Sequence, residues 1–401
     1  MENVVLDLAK YAYEHVPFYN RLYDNYGIDF NNDNLKIEDL PIIRKEDFIT
    51  QTELLISDEY NVTDLVTTHT SGTSGFELNV YNTKSEQMQR AMILWRERER
   101  NFPGIMREKK AMFTDASWFN DSVNIIGDML YLNTKFLDEK RFEDYFSALN
   151  KFQPKFIHCP PSALYEFVSY LIKTSKNLNY RIDYIELAGE FVSDGVYKEL
   201  SHFFDGTTII NYYGAIEVFS IAHGCKNKNL HIIDDSVFVE VDNCDSQGFG
   251  QLVITSLVNK AMPFIRYKIG DIGKISENTC SCGKREKIID LKSGRIYDYY
   301  KDGNRKITAD FFRKVLAEYF KETNDERNLI QFSIKQEKQD LLHYFLAVQD
   351  KNKVNTNELK EYLLKSINDF LSNPVRIEIS TNLNMLDHDK TRKFKMYDMF
   401  K

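Results

Sequence analysis

Between residues 140 and 214 the sequence alternates helical stretches with short apolar runs, and this alternation limits the fold more than any other feature. KRFEDYFSALNKF (140–152) carries its apolar residues at helical spacing, and KFIHC (155–159), YIELA (184–188) and TTIINYYG (207–214) follow. Near-continuous apolar runs suit strands buried on both faces, as in a largely parallel sheet covered by helices. From 237 to 275 the spacing tightens. VFVEV, GQLVITSL and IGKIS lie between Gly, Asn and Asp turns, the pattern of an antiparallel β subdomain. The last hundred residues differ again. Phe311, Phe312, Val315, Leu316, Tyr319 and Phe320 recur at helical spacing, and two strand-like runs follow, IQFSIKQ and HYFLAVQD. A helix from about Asn357 presents Leu359, Leu363, Ile367 and Phe370, and VRIEIS closes as a strand, giving a small α+β unit. The predicted fold is therefore α/β. A large N-terminal domain spans 1–293, with its β subdomain over about 232–293, and a small α+β domain spans 294–401, the boundary lying at Gly294-Arg295.

A chain of 401 residues is long enough for two or three domains, and 43% hydrophobic with 28% charged residues is a globular balance. With 52 basic and 60 acidic side chains the net charge is −8, a poor match to nucleic acid. No run approaches the ~18–20 apolar residues of a membrane span, and the start lacks the features of a signal peptide. Five cysteines are too sparse for a disulfide scaffold. These observations point to a cytoplasmic protein without a membrane or nucleic-acid partner.

Short helices and turns fill residues 1–58. DLVTTHT (64–70) and ELNVYNT (77–83) read as strands flanking a loop, and Thr83 with Glu86 forms a capping box. It opens a helix through Trp95, with Met88, Ala91 and Trp95 on one face. The loop, Thr70-Ser71-Gly72-Thr73-Ser74-Gly75, offers four hydroxyls, exposed N–H groups and two glycines that let the backbone approach phosphate closely. No Gly-Lys-Ser/Thr follows, so it is not a Walker loop. Taken alone it reads first as a hydroxyl-rich hairpin turn.

Four further motifs follow in order: Tyr213-Gly214-Ala215-Ile216-Glu217, Arg266-Tyr267-Lys268-Ile269-Gly270-Asp271, Cys280-Ser281-Cys282-Gly283 and Gly294-Arg295-Ile296-Tyr297-Asp298. With His15-Val16-Pro17-Phe18-Tyr19 and Leu40-Pro41 ahead of them, the chain resembles the adenylate-forming superfamily, in the branch of phenylacetate–CoA ligase and the CapK-like proteins. The resemblance covers nearly the whole chain.

It implies an enzyme that uses ATP and Mg2+ to convert a small carboxylic acid, aryl or otherwise hydrophobic, into an acyl-adenylate. The acyl group then passes to coenzyme A, a carrier-protein phosphopantetheine or an amine. It implies that Thr70–Gly75 binds phosphate, and that Gly189 and Glu190 lie near adenine with Tyr212, Tyr213 and Gly214. Asp271 would bind the ribose hydroxyls, Arg295 ribose or phosphate, and Glu217 the Mg2+. It also implies a catalytic lysine from a mobile C-terminal lid. Lys393 takes that position, with Arg392 where a Gly is expected and Lys390 as a competitor. Phe76-Glu77 brings no cation to the loop, and Ile216 replaces a phosphate-touching Thr, departures that keep open a catalytically drifted nucleotide- or acyl-binding protein. Segments 114–125, 156–163 and 188–214 are expected to form the acid pocket, with Asp115, Trp118, Phe119, His158, Pro160 and Ser162 on its walls.

Cys225-x5-His231 and Cys280-x-Cys282 supply three thiols and an imidazole, a set that suits a closed tetrahedral Zn2+ site. His223 is an alternative ligand, and free cysteines are the alternative state. Cys159 and Cys244 read as apolar fillers. A zinc-dependent hydrolase would need an open metal position and a general base.

Overall fold

A computed structural model describes residues 1–48, 51–69, 78–114, 118–119, 121–134, 137, 139–192, 194–277, 279–295, 299–302, 305–323, 328–338, 340–348, 350–382 and 397–398. The chain divides into two compact units. The first comprises Met1–Glu190, Phe204–Ile269 and Gly273–Leu291; the second comprises Phe191–Phe203, Gly270–Ile272 and Lys292–Lys401.

The central sheet has twelve strands. From one edge they run Val237–Asp242, Gly250–Ser256, Tyr267–Ser276, Ile288–Arg295, Leu230–Ile232, Phe219–Gly224 and Thr208–Ala215, then Tyr184–Ala188, Phe156–Cys159, Lys110–Thr114, Met129–Asn133 and Val123–Ile126. The expected parallel block is present: the strands beginning at Thr208, Tyr184, Phe156, Lys110 and Met129 pair in parallel. The closely spaced strands read as a β subdomain are hydrogen-bonded into this same sheet, so its strand ladder continues across residue 232.

Strand alternation sends the side chains of the parallel block to two faces. On one face Phe113 meets Tyr145 and Phe167 at ring-centroid distances of 5.7 and 6.2 Å, so helices Glu139–Phe152 and Pro161–Lys173 cover it. On the other, Trp95 of helix Lys84–Asn101 meets Phe156 at 5.9 Å. Helices Glu2–His15 and Pro17–Tyr26 pack their Ala9, Ala12, Tyr19 and Tyr23 into the core with Phe48, Phe264 and Tyr267. The Tyr19 hydroxyl donates to Pro263 O at 3.1 Å and accepts from Ile265 N at 2.9 Å, so the buried ring leaves no polar atom orphaned.

Helix Lys84–Asn101 opens on the expected capping box: Glu86 N donates to Thr83 Oγ1 at 3.0 Å and Thr83 N to Glu86 Oε2 at 2.7 Å. It runs six residues beyond Trp95, and its inward face is not the expected one. Met88 and Ala91 are exposed; Glu86, Arg90, Ile93, Leu94, Glu97 and Arg98 are buried. Three of the four buried charges are tolerated because each has a counterpart. Glu86 Oε1 accepts Lys260 N and Ala261 N at 2.7 and 2.9 Å, Glu97 pairs with Lys284 and Arg100, and Arg98 reaches Glu186.

In the second unit, strands pair in the order Arg376–Asn382, Leu341–Val348, Leu329–Lys338 and Tyr397–Asp398, beside helices Ala309–Glu322 and Thr356–Asn368. Phe312, Leu316, Tyr344, Leu346, Leu359, Leu363 and Ile367 are buried in its core. Burial of each such side chain contributes about 1.5–3 kcal/mol. Phe370 lies beyond the end of its helix, exposed and stacked on Phe311 at 4.2 Å, and is not part of the helix's apolar stripe. The hairpin Tyr299–Asp302/Arg305–Thr308 is tied down by Asp302, whose carboxylate accepts Ser372 N and Asn373 N at 2.8 and 3.0 Å. Among the described residues, no helix is long and apolar enough to cross a membrane.

Candidate active site

In open α/β sheets, ligands bind beyond the carboxyl ends of parallel strands. Within the first unit those ends carry several of the expected residues. Gly189 and Glu190 follow strand Tyr184–Ala188. Gly189 has φ +86, a left-handed conformation that glycine adopts without a Cβ penalty. Glu190 accepts from Ser162 N at 3.1 Å and Ser162 Oγ at 2.8 Å, which joins an expected adenine neighbour to an expected acid-pocket residue. Ala188 pairs with Tyr212. Tyr212 donates to or accepts from Ser220 Oγ at 3.0 Å, and burial pushes its hydroxyl up to about 12. Gly214 is required by space: a Cβ there would lie 2.4 Å from Phe219 O and 2.7 Å from the Tyr212 hydroxyl.

Glu217 is half-buried, and its Oε1 accepts from the Tyr267 hydroxyl at 3.4 Å. Beside it, the Arg90 guanidinium approaches Glu217 O at 3.5 Å and the Phe219 ring at 5.7 Å, while its Nε is buried without a partner. Burial pulls the Arg90 guanidinium down to about 10. Sequence reasoning passed over Arg90; its helical spacing from Glu86 and Glu97 was the available signal.

Asp271 is half-exposed on strand Tyr267–Ser276, and Arg295 ends strand Ile288–Arg295; both belong to the second unit. The loop Thr70–Gly75, Asp115, Lys390 and Lys393 lie outside the described residues. Trp118 is exposed, with Phe119 and Tyr131 at 4.6 and 5.1 Å.

The most organised polar group centres on Glu186, which the sequence reading passed over. Its fully buried carboxylate accepts Arg98 Nε at 3.0 Å, Arg98 Nη2 at 2.5 Å, His158 Nδ1 at 2.7 Å and His223 Nε2 at 2.8 Å. Burial works to raise this carboxyl, but the guanidinium and the two imidazole N–H groups outweigh it and hold it well below the ordinary range. His223 is thus committed to Glu186 and is not the alternative metal ligand.

The four expected metal ligands converge. The ligand atoms of Cys225, His231, Cys280 and Cys282 lie within 4.8 Å of one another. Cys225 Sγ and Cys280 Sγ are 3.7 Å apart, and Cys282 Sγ and His231 Nε2 are 3.4 Å apart. A tetrahedral site with Zn–S bonds of about 2.3 Å places its sulfurs roughly 3.8 Å apart. His231 Nδ1 donates to Glu286 O at 3.0 Å, which leaves Nε2 as the ligating nitrogen. Burial pushes the Cys225 thiol up to about 11. At Cys280 burial also works upward, but donation from Asn229 and neighbouring groups brings the thiol down to about 5. Cys159 is a buried filler as expected; Cys244 is exposed and is not.

No protein-family model matches the chain. Among curated proteins it is similar to the phenylacetate–coenzyme A ligase of Thermus thermophilus, 26% identical over 313 residues, 73% of this chain and 68% of that one. It is also similar to protein CapK of Staphylococcus aureus, 22% identical over 90% of this chain and 83% of that one. Both relatives place the similarity in the phenylacetate–CoA ligase-like branch of the adenylate-forming superfamily. Solved structures agree on the fold. A 2-hydroxyisobutyryl-CoA ligase in complex with an acyl-AMP matches 100% of this chain and 88% of its own, with TM-score 0.72 and 14% identity. The GH3.15 acyl acid amido synthetase matches 95% and 86%, with TM-score 0.61 and 13% identity. The fold shared with these structures therefore extends over both units.

Proposed function

We propose that this chain is an ATP-dependent carboxylate-activating ligase. The observation that carries the reading is the run of five ordered motifs on a fold shared end to end with acyl-adenylate-forming ligases. In the first step a carboxylate oxygen attacks the α-phosphorus of ATP, the bond to the bridging oxygen breaks, and pyrophosphate leaves. In the second a thiol or amine attacks the acyl carbon, loses its proton and expels AMP.

Thr70–Gly75 would cradle the phosphates, with Gly189, Glu190, Tyr212, Tyr213 and Gly214 about the base. Asp271, an acceptor-only carboxylate, suits the two ribose hydroxyls, and Arg295 would pair with ribose or phosphate. Glu217 fits Mg2+ through the chemistry of its donor, since Mg2+ is usually held by one or two carboxylates together with substrate phosphates. Once bound, the ion would neutralise phosphate charge. Residues 294–401 would act as a lid whose Lys393 reaches the α-phosphate on closure and stabilises the charge that develops there. The Cys225/His231/Cys280/Cys282 group would hold a structural Zn2+; it leaves no open position for a substrate.

Hydroxamate trapping with Mg-ATP and a broad acid panel tests the activity, with coenzyme A present and absent to report the acceptor. Product with at least one acid is expected, and none with any acid overturns the reading. Lys393→Ala should abolish adenylate formation and spare ATP binding. The same loss in Lys390→Ala alone would move the catalytic role to Lys390.

A further inference from the structure

The Glu186 group does more than hold two elements together, because it fixes the protonation of a histidine whose other edge is open. A carboxylate has about four acceptor sites, and Arg98, His158 and His223 fill all four. Arg98 already balances the charge of Glu186, so neither imidazole is needed as a cation. For His223 the neutral form is set from both sides. Asn101 Nδ2, oriented by its bond to Gly224 O at 2.8 Å, donates to His223 Nδ1 at 3.0 Å, so Nε2 carries the proton given to Glu186. His158 is the mirror case. Its Nδ1 carries the proton donated to Glu186, and Nε2 is left with a lone pair.

That lone pair is available. His158 is about one-fifth exposed, while the carboxylate bound at its Nδ1 is fully buried. Among the described residues His158 Nε2 has no hydrogen-bond partner, and it is not among the buried unsatisfied atoms. The residue sits one position before the end of strand Phe156–Cys159, on the same sheet face as Tyr212, whose ring centroid lies 6.4 Å away. Tyr212 immediately precedes the Tyr213–Glu217 motif. An acid held for adenylation would thus meet, near its acyl carbons, a fixed hydrogen-bond acceptor at His158 Nε2.

We propose that His158 is the specificity-determining residue of the acid site, and that its Nε2 accepts a hydrogen bond from a hydroxyl or amino group carried by the acid. The substrate class is accordingly an acid bearing a donor beyond its carboxylate, rather than an unsubstituted aryl or alkyl acid. This rests on the ligase reading for its chemistry but not for its geometry, and the tests separate the two.

The first test compares hydroxylated acids, aromatic and aliphatic, with their methyl ethers and unsubstituted parents. A hydroxylated acid should exceed its ether in kcat/KM at least about tenfold, because an unmade hydrogen bond leaves a desolvated acceptor behind. His158→Phe should collapse that ratio towards one, and His158→Gln should restore part of it. A wild-type enzyme indifferent to the donor overturns the proposal, as does a His158→Phe enzyme that keeps the ratio or loses all acids equally. The second test needs no turnover. Imidazole 15N spectra should show His158 protonated at Nδ1 only, and hydroxylated acids should shift its Nε2 resonance more than their ethers do. Protonation at Nε2, or equal shifts from both series, overturns the proposal. Absence of adenylation with these shifts present would sink the ligase reading alone.

Discussion

Replacing Arg98 with Met removes the cation beside a fully buried carboxylate while keeping most of the side chain's volume. Glu186 would lose two of its four hydrogen bonds and its counter-charge at once. Removing one partner of a buried ion pair costs about 3–5 kcal/mol. The guanidinium also lies 4.5 Å over the Trp95 ring, a contact that adds about 0.5–1 kcal/mol. A total near 5 kcal/mol, with a urea m-value of roughly 2–3 kcal/mol/M, lowers the unfolding midpoint by roughly 2 M. Both tryptophans, Trp95 and Trp118, belong to the first unit, so fluorescence reports its unfolding directly. The pH dependence has a definite sign. In the wild type the Glu186 pKa is depressed, so its stabilisation is present above the unfolded carboxylate value near 4.3 and is lost as pH falls through the folded value. Without Arg98, burial raises the carboxyl, and the variant's penalty shrinks as acid supplies the missing proton. The gap between the two proteins should therefore narrow from pH 8 to pH 5. The double variant Arg98→Met/Glu186→Gln should recover at least half of the loss. A midpoint shift below about 0.3 M, or a gap that does not change with pH, would show that water reaches Glu186 and would refute the reasoning.

Three further outcomes are expected. Metal analysis of purified protein should find about one zinc per chain, and its removal by a chelator should lower the first unit's thermal midpoint by more than about 4 °C; well below one equivalent, with no thermal effect, would dismiss the site. Thr83→Ala should cost about 1 kcal/mol in urea unfolding. Glu86→Ala should cost about 3 kcal/mol or more, because it strands the backbone N–H groups of Thr83, Lys260 and Ala261; equal losses in the two would contradict the geometry. Gly214→Ala should impair nucleotide binding by calorimetry beyond its effect on stability, since a Cβ 2.4 Å from Phe219 O forces the Tyr213–Glu217 segment to shift. Unchanged ATP affinity would argue against that coupling.

The parallel strands and the helix Ala309–Glu322 were legible because their burial follows apolar runs and helical spacing, and the Thr83–Glu86 box because its two bonds are local. The inward face of helix Lys84–Asn101 was not. Hydropathy favours Met88 and Ala91, yet compensation from Glu186, Lys284 and the Lys260–Ala261 backbone makes Arg98, Glu97 and Glu86 the buried residues. These partners are 88 to 187 residues distant in sequence, so no local pattern encodes them. Glu186 illustrates the same gap: a lone carboxylate in YIELA reads as an interruption until three donors from separate elements meet it. The metal ligands were easier, because sulfur and imidazole types narrow the choice, although His223 and His231 pair directly across adjacent strands and only their partners, Glu186 and Cys282, tell them apart.

The filled carboxylate also bears on how such a protein can diverge. Arg98 and His223 are enclosed, so replacing Glu186 or either of these partners strands buried donors or an unbalanced charge, and these three should be kept or exchanged together among relatives. His158 stands at the rim of the same group, about one-fifth exposed, and Arg98 rather than His158 balances the charge of Glu186. Substrate range can therefore drift at position 158 by single substitutions, while the three residues behind it change only as a block.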